Sequence, residues 1–273
     1  MQNSVDIPAL LLLGIIQGIA EWLPISSEGL NTLVMITLLG VAPFEAVRVS
    51  LLLHFGTLLA AVVYFRDDVT RLLRVAPRIL KQDEGNPVSD VATLRFLLVS
   101  TLVSMLVAYP LFVASAQFLE VWAAYATATV GALLIFTGIV LRTATQGTTR
   151  APPSVLDSLL LGVVQGFTVL PGLSRSGLTT SALLWRGNDS ASALRLSFLM
   201  SIPAVLVSSV YLLVTSPSLS LSPVSAAGIF AAFLVGLVSI HVLMRFAARI
   251  NFGWFCIFLG AISQLSLLGF LWS

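Results

Sequence analysis

Apolar residues in this chain come in long uninterrupted runs, not in the short alternations of half-buried elements. An α-helix rises 1.5 Å per residue, so about 20 apolar residues cross a hydrocarbon core of roughly 30 Å. Runs over 49–65, 96–114, 123–141, 197–214, 226–244 and 252–272 predict six membrane-spanning helices, the first and fourth extending into their flanks. Two further apolar segments, 7–40 and 155–188, are each interrupted at the centre, over 23–29 and 170–177, by Pro, Ser, Gly and charged residues. Broken backbone is tolerated at membrane depth only where it is buried in protein or lines a polar cavity. Both segments are therefore expected to be re-entrant helical hairpins that carry a site. The stretch 66–93 reads as a charged, Pro- and Gly-containing connector without chemistry.

Charge sets the expected orientation. Of the 14 Lys and Arg residues, twelve lie in or beside four segments, exemplified by Arg66–Arg95, Arg142 and Arg150, Arg186 and Arg195, and Arg245 and Arg249. By the positive-inside rule these segments are cytoplasmic. The connections 115–121 and 216–225 hold no Lys or Arg and are expected outside, as are both termini. Segment 7–40 then dips in from outside and 155–188 from the cytoplasm.

The two broken segments also resemble one another. Leu12-Leu13-Gly14-Ile15-Ile16-Gln17-Gly18 matches Leu160-Leu161-Gly162-Val163-Val164-Gln165-Gly166 at a spacing of 148, and Gly29-Leu30-Asn31-Thr32 matches Gly177-Leu178-Thr179-Thr180 at the same spacing. The expectation is an all-α integral membrane protein: one membrane domain over 1–273 with an inverted-topology repeat, 7–113 and 155–246, and further helices at 122–142 and 252–272. Opposed half-helices of this kind meet near the midplane, where transporter-like folds place their sites.

Composition agrees, with 58% hydrophobic and 10% charged residues, against about a quarter charged in soluble domains. A net charge of +2 without a basic stripe gives no sign of a nucleic-acid partner. The single cysteine, Cys256, has no disulfide or metal partner in sequence and reads as packing. No charged leader with a small-residue cleavage site stands at the N-terminus, so no removable signal peptide is expected.

Candidate chemistry concentrates at the two breaks. Gln17 and Glu21, four residues apart, share a helix face. Three ionisable residues, Glu21, Glu28 and Arg175, fall at membrane depth, where such groups are expensive and usually functional. Arg175 suits bidentate capture of phosphate oxygens. The N–H groups at 27–29 and 176–178 suit an anion at a helix start. Carboxylates do not bind anions, but they hold a divalent metal or move protons. Plainer readings stand beside these. A Glu–Arg pair also serves as a structural lock, and Ser158, Ser201 and Gly131 suit close helix packing. His54 fits either packing or the lining of a site, and His241 suits an interface. Trp22, Trp122, Trp185 and Trp254 suit interfaces or packing.

At these motifs the chain resembles the undecaprenyl-diphosphatase, or bacitracin-resistance, family. The first signature stands as Gln17 to Glu21 followed by Leu23-Pro24-Ile25-Ser26-Ser27; the second, Pro171-Gly172-Leu173-Ser174-Arg175-Ser176-Gly177, is complete. Agreement extends to His54-Phe55-Gly56-Thr57 and Ser197-Phe198-Leu199-Met200. The resemblance implies hydrolysis of a polyprenyl diphosphate to the monophosphate, a divalent cation (Mg2+ or Ca2+), and a site opening to the outer face of the cell membrane. It also implies Ser27 as nucleophile, Arg175 as phosphate clamp, and Glu21 acting with the metal or as base beside Gln17. Ser26, Gly29, Gly172, Ser174, Ser176 and Gly177 are then diphosphate-binding positions. One departure is Leu30, where the family commonly carries a histidine; Glu28 stands two residues earlier, a pattern similar to archaeal-type members, for which a dolichol-like carrier is expected. The competing reading is a flippase for the polyprenyl monophosphate. Partners are the lipid substrate and the bilayer; an oligomeric state is not legible.

Overall fold

The computed structural model describes residues 6–80, 88–121, 123–144, 153–215 and 223–246, together with 254, 256–258, 260–262 and 264. The described residues are mostly helical, in ten helices plus the helical residues from 254 onward. They are α1 Ile7–Ala20, α2 Ser27–Leu39, α3 Pro43–Tyr64, α4 Arg66–Leu80, α5 Val88–Val121, α6 Ala123–Thr143, α7 Val155–Phe167, α8 Arg175–Trp185, α9 Ser190–Thr215 and α10 Pro223–Phe246. Among the described residues four stretches are long and apolar enough to span a membrane: Pro43–Tyr64, Ser89–Ser115, Ser190–Thr215 and Pro223–Arg245. Most of the expected span 252–272 lies outside the described residues.

Both interrupted segments are helix–break–helix units. α1 begins at Asp6, whose carboxylate accepts the Ala9 N–H at 3.0 Å, with Pro8 in the first turn. It ends at the Trp22-Leu23-Pro24 break, because proline cannot continue the ladder and restricts the residue before it. α2 restarts on Ser26 and stops at Gly40, whose φ of +63° suits glycine as a left-handed cap. In the second unit, Ser154 and Asp157 form a capping box at the start of α7, and Ser174 caps α8.

Stretch 66–80 differs from the expected connector. It forms the amphipathic helix α4, with Asp67 and Asp68 in its first turn, where acidic groups complement the helix dipole. Leu72 and Val75, three apart, are both buried, Leu72 in the main core with Phe65 and Phe96. The charges around them mask this short apolar stripe in the sequence. Asp68 holds Arg71 and, across 127 residues, Arg195, so α4 is tied to the start of α9. Arg71 also reaches Asp90 on α5 at 3.5 Å.

Small residues let the helices approach closely. α1 packs along α10 and α7 along α5. A Cβ on Gly14 would lie 2.2 Å from the Gly228 carbonyl oxygen, and one on Gly162 would lie 2.6 Å from the Val103 Cβ. Gly18 and Gly166 repeat these contacts one turn later, against α10 and α5. Such small-residue faces are the usual means by which membrane helices pack without a hydrophobic drive. Gly14→Val is expected to prevent seating of α1 on α10 and to lower the thermal unfolding midpoint in detergent by 5 °C or more, or to abolish the folded monodisperse peak, because the clash is with backbone.

The plainer packing readings have these positions. Ser158 and Ser201 are buried and bond to carbonyls of their own helices, Ser154 at 3.0 Å and Phe198 at 2.6 Å. The Gly131 carbonyl oxygen lies 2.5 Å from where a Cβ on Gly260 would stand. Cys256 is buried against Ala20 and Ile25, with its Sγ 3.1 Å from the Pro24 carbonyl. Trp22 is fully enclosed, donates to the Gly236 carbonyl at 2.8 Å and meets Phe198 edge-on. Trp185 and Trp254 are exposed, the latter beneath the Arg142 guanidinium at 4.1 Å. His241 is exposed and meets the Tyr64 ring. Trp122 lies outside the described residues.

Candidate active site

The two breaks meet through backbone and hydroxyls. Ser26 Oγ accepts the Gly29 N–H at 3.0 Å, the cap of α2, and also the Gly172 N–H at 3.1 Å from the other unit. Ser174 Oγ accepts the Gly177 N–H at 3.1 Å and lies 3.2 Å from Ser176 Oγ, which donates to the Leu23 carbonyl at 2.7 Å. The starts of α2 and α8 are thereby drawn together, with the positive ends of both helix dipoles turned toward one region. Gly172 has φ +106°, and a Cβ there would lie 2.5 Å from the Val130 carbonyl oxygen; a Cβ on Gly29 would lie 2.8 Å from Gly172 N. Only glycine fits either place.

This junction narrows one expectation. The N–H groups of Gly29 and Gly177 are taken by the capping hydroxyls, that of Gly172 by Ser26, and that of Leu178 by the Ser174 carbonyl at 2.9 Å. Donors for an anion are left to the earlier N–H groups of each first turn, which have no partner within a helix. Ser26, Ser174 and Ser176 build the junction.

Glu21, the last residue of the first arm, is the centre of the cluster. Its Oε2 accepts Gln17 Nε2 at 2.8 Å and Ser27 Oγ at 2.8 Å. Its Oε1 is bonded by Arg175 Nη2 from the opposite unit. His54 of α3 sends Nε2 to within 3.2 Å of Glu21 Oε2, while its Nδ1 lies 2.8 Å from the Ser50 carbonyl. A carbonyl only accepts, so Nδ1 carries a proton, and a hydrogen bond from Nε2 to Glu21 needs a second proton on the ring. Asn31 Nδ2 donates to Gln17 Oε1 at 3.0 Å, which fixes the Gln17 amide with its NH2 toward Glu21. Gln17, Glu21, Ser27, Glu28 and Asn31 are all buried. Of the residues singled out in the sequence, Gln17, Glu21, Ser27, His54 and Arg175 are thus in direct contact. Glu28 borders the same space with no hydrogen bond or ion pair among the described residues.

A cavity of about 490 Å3 adjoins the cluster. Glu21, Ser27, Glu28, His54 and Arg175 lie along it, while Leu102, Met105 and Tyr109 of α5 and Val205 and Tyr211 of α9 form an apolar wall. Tyr109 and Phe112 both meet Tyr211 edge-on, at ring-centroid distances of 6.3 and 6.1 Å. Gln165 also borders it; its Nε2 donates to Ser104 Oγ at 3.1 Å. Sequence reasoning did not assign Gln165, Asn31 or the aromatic wall to the site. Gln165 was within reach, since it stands 148 residues after Gln17 in the repeat. The wall was not, because α5 and α9 look like any other apolar span.

Among the described residues no three His, Cys, Asp or Glu side chains stand together as a metal-binding set. Both oxygens of Glu21 are engaged, whereas Glu28 keeps Oε1 without a partner. One carboxylate completed by phosphate oxygens is the usual holder of Mg2+, so the donor set fits a cation that arrives with its diphosphate.

Fold and site together define a multi-pass helical membrane protein with an ionic centre at the junction of two broken helices. The chain belongs to the bacitracin resistance protein BacA family, whose model matches residues 10–262. A Methanococcoides burtonii protein named undecaprenyl-diphosphatase is 46% identical over 259 residues, covering 94% of this chain and 97% of its own. Proteins of the same name from Methanothrix thermoacetophila and Haloarcula marismortui are 38% and 36% identical over 255 residues each, covering 93% and 92% of this chain and 94% of their own lengths.

Proposed function

We propose that this protein is a membrane phosphatase that hydrolyses a polyprenyl diphosphate, of undecaprenyl or dolichyl type, to the monophosphate and inorganic phosphate, recycling the lipid carrier. Its relatives bear the name of that activity. The observation that carries the reading is the Ser27 hydroxyl donating to Glu21 at 2.8 Å while Arg175 meets the same carboxylate from the facing unit, beside an apolar-walled cavity. A nucleophile bonded to a base that is itself oriented by third groups is the general arrangement for covalent catalysis.

In this reading the prenyl chain lies against α5 and α9 and the diphosphate enters among Ser27, Arg175 and the starts of α2 and α8. Ser27 Oγ attacks the terminal phosphorus and its proton passes to Glu21. The bond from that phosphorus to the bridging oxygen breaks, and the monophosphate lipid leaves. Glu21 passes that proton to the departing bridging oxygen, takes another from the attacking water and returns it to Ser27 Oγ as inorganic phosphate is released. Arg175 steadies the charge on the phosphoryl oxygens, and Gln17 and His54 hold Glu21 in place. A divalent cation would be held by Glu28 and the diphosphate, and when bound it supplies charge neutralisation at the phosphates.

The architecture we infer is six spans plus two re-entrant hairpins, 7–40 and 155–188, in one domain with repeats 7–113 and 155–246 of opposite topology. Equivalent glycines of α1 and α7 packing on α10 and α5 support it. The ion pairs of Arg71, Arg186 and Arg195 near α4, α8 and the start of α9 mark the cytoplasmic side. The Tyr109–Phe112–Tyr211 wall lies toward the other ends of α5 and α9, so the site opens to the outer face, with both termini outside.

The test is phosphate release from a short polyprenyl diphosphate by the purified full chain in detergent, with and without Mg2+ or Ca2+. Release that depends on the metal is expected. Folded protein that releases none under any metal condition, yet moves the monophosphate lipid between vesicle leaflets, would instead establish the flippase.

A further inference from the structure

Beside the site four buried oxygens have no hydrogen-bond partner among the described residues: Glu28 Oε1, Asn31 Oδ1 and Thr32 Oγ1 on α2, and Ser50 Oγ on α3. Residues 28, 31 and 32 stand at i, i+3 and i+4, on one helix face. α2 and α3 are joined by residues 40–42 alone and pack against each other, so they run antiparallel. Their register follows from the contacts near the connection, where Met35 and Ala46 share one apolar cluster and Ile36 packs on Val47. One turn inward, the same register sets Thr32 opposite Ser50; a further turn sets Glu28 at the level of His54. Leu10, Leu13, Met35 and Val49 close this polar layer off on the connection side.

Buried polar atoms are nearly always paired, and an exception in a native interior calls for an ion or water. Glu28 is in addition a buried carboxylate with no ion-pair or hydrogen-bond partner among the described residues, His54 acting on it only through space from the facing turn of α3, and such a group is costly unless a proton or cation joins it. A proton on Glu28 would leave the Asn31 oxygen, which can only accept, unfilled. A cation serves all four atoms at once. The set is oxygen only, as hard cations require, and carries one formal negative charge, which matches a single positive one; divalent ions in proteins generally take more carboxylates or phosphates.

We propose that α2 and α3 hold a resident sodium-sized monovalent cation between Glu28, Asn31, Thr32 and Ser50, separate from the divalent ion that accompanies the diphosphate. Glu28 would then stand between the two, its inner oxygen on the resident cation and its other side along the cavity. The cation would fix α2 one turn beyond Ser27, the same turn from which Asn31 orients Gln17. The assignment is independent of the phosphatase reading, because the cation is held without substrate.

Thermal unfolding of the full chain in detergent, with chelator present and ionic strength held constant, tests it. Replacing choline chloride by 100 mM NaCl is expected to raise the wild-type midpoint by about 3–6 °C, saturating in the low millimolar range. Thr32→Val and Ser50→Ala, which keep the shape of the layer, should remove most of that shift while leaving the midpoint in choline within about 2 °C of wild type. Equal wild-type midpoints in sodium and choline would overturn the proposal, as would a shift that survives both substitutions. Stabilisation by Mg2+ or Ca2+ with none by sodium would overturn the monovalent assignment.

Discussion

Ser27→Ala is expected to reduce phosphate release by a factor on the order of 10³ or more while substrate still binds. The hydroxyl is the only atom of this side chain that reaches Glu21, and alanine leaves that carboxylate still bonded by Gln17, Arg175 and His54. The cluster should therefore keep its shape, and the unfolding midpoint should move little. Steady-state release, with unchanged lipid retention on the detergent-solubilised protein, is the measurement. A variant retaining a tenth of wild-type activity would show that water attacks phosphorus directly, with Glu21 as its base, and would remove Ser27 from the covalent role.

Arg175→Ala should cost about 10²–10³ in kcat/KM, because one guanidinium both neutralises phosphoryl charge and sets the carboxylate that takes the serine proton. Alanine also leaves Glu21 without its guanidinium partner, and breaking a buried pair from one side typically destabilises by about 3–5 kcal/mol. The informative comparison is Arg175→Lys. Lysine preserves a positive charge for Glu21 but loses the planar fork. If Arg175 were only a lock between the two units, lysine would restore both midpoint and turnover. If it grips the diphosphate, lysine restores the midpoint but leaves kcat/KM at least tenfold low. Arg175 Nη1, buried and without a hydrogen-bond partner among the described residues while Nη2 serves Glu21, favours the second outcome.

Much of this was legible in the sequence, and the reason is solvent. In hydrocarbon a polar residue needs a purpose, so Gln17, Glu21, Ser27, Glu28 and Arg175 stood out against their apolar surroundings as they would not in a soluble protein. The spacing of 148 likewise marked the paired units, and proline marked the breaks. Other features depended on tertiary contacts that no local pattern encodes. The engagement of His54 follows from the lean of α3 across the end of α1. The apolar wall of the cavity is built of Leu, Met, Val and Tyr residues typical of any span. The helix at Arg66–Leu80 was hidden for the opposite reason: among its described side chains Leu72 and Val75 alone are buried, and its many charges read as a loop. The caps that Ser26 and Ser174 make at the junction were not visible either, since a helix start takes the nearest acceptor available.

The pairing of α1 with α10 has a consequence for how the protein is made. α1 leaves the ribosome before α10, and the surface that receives Gly14 and Gly18 is not synthesised until Gly228 to Gly236, more than 200 residues later. Throughout that interval the small-residue face of α1 waits in the bilayer against lipid or a helper protein. α7, by contrast, emerges after α5 and finds its partner already in place. The first unit is thus the last to settle, and a chain interrupted before Pro223 would hold a seated second unit beside an unseated first one. Quality control acting on this protein would meet the uncovered Gly14 and Gly18 face of α1 as its signal that synthesis had stopped short.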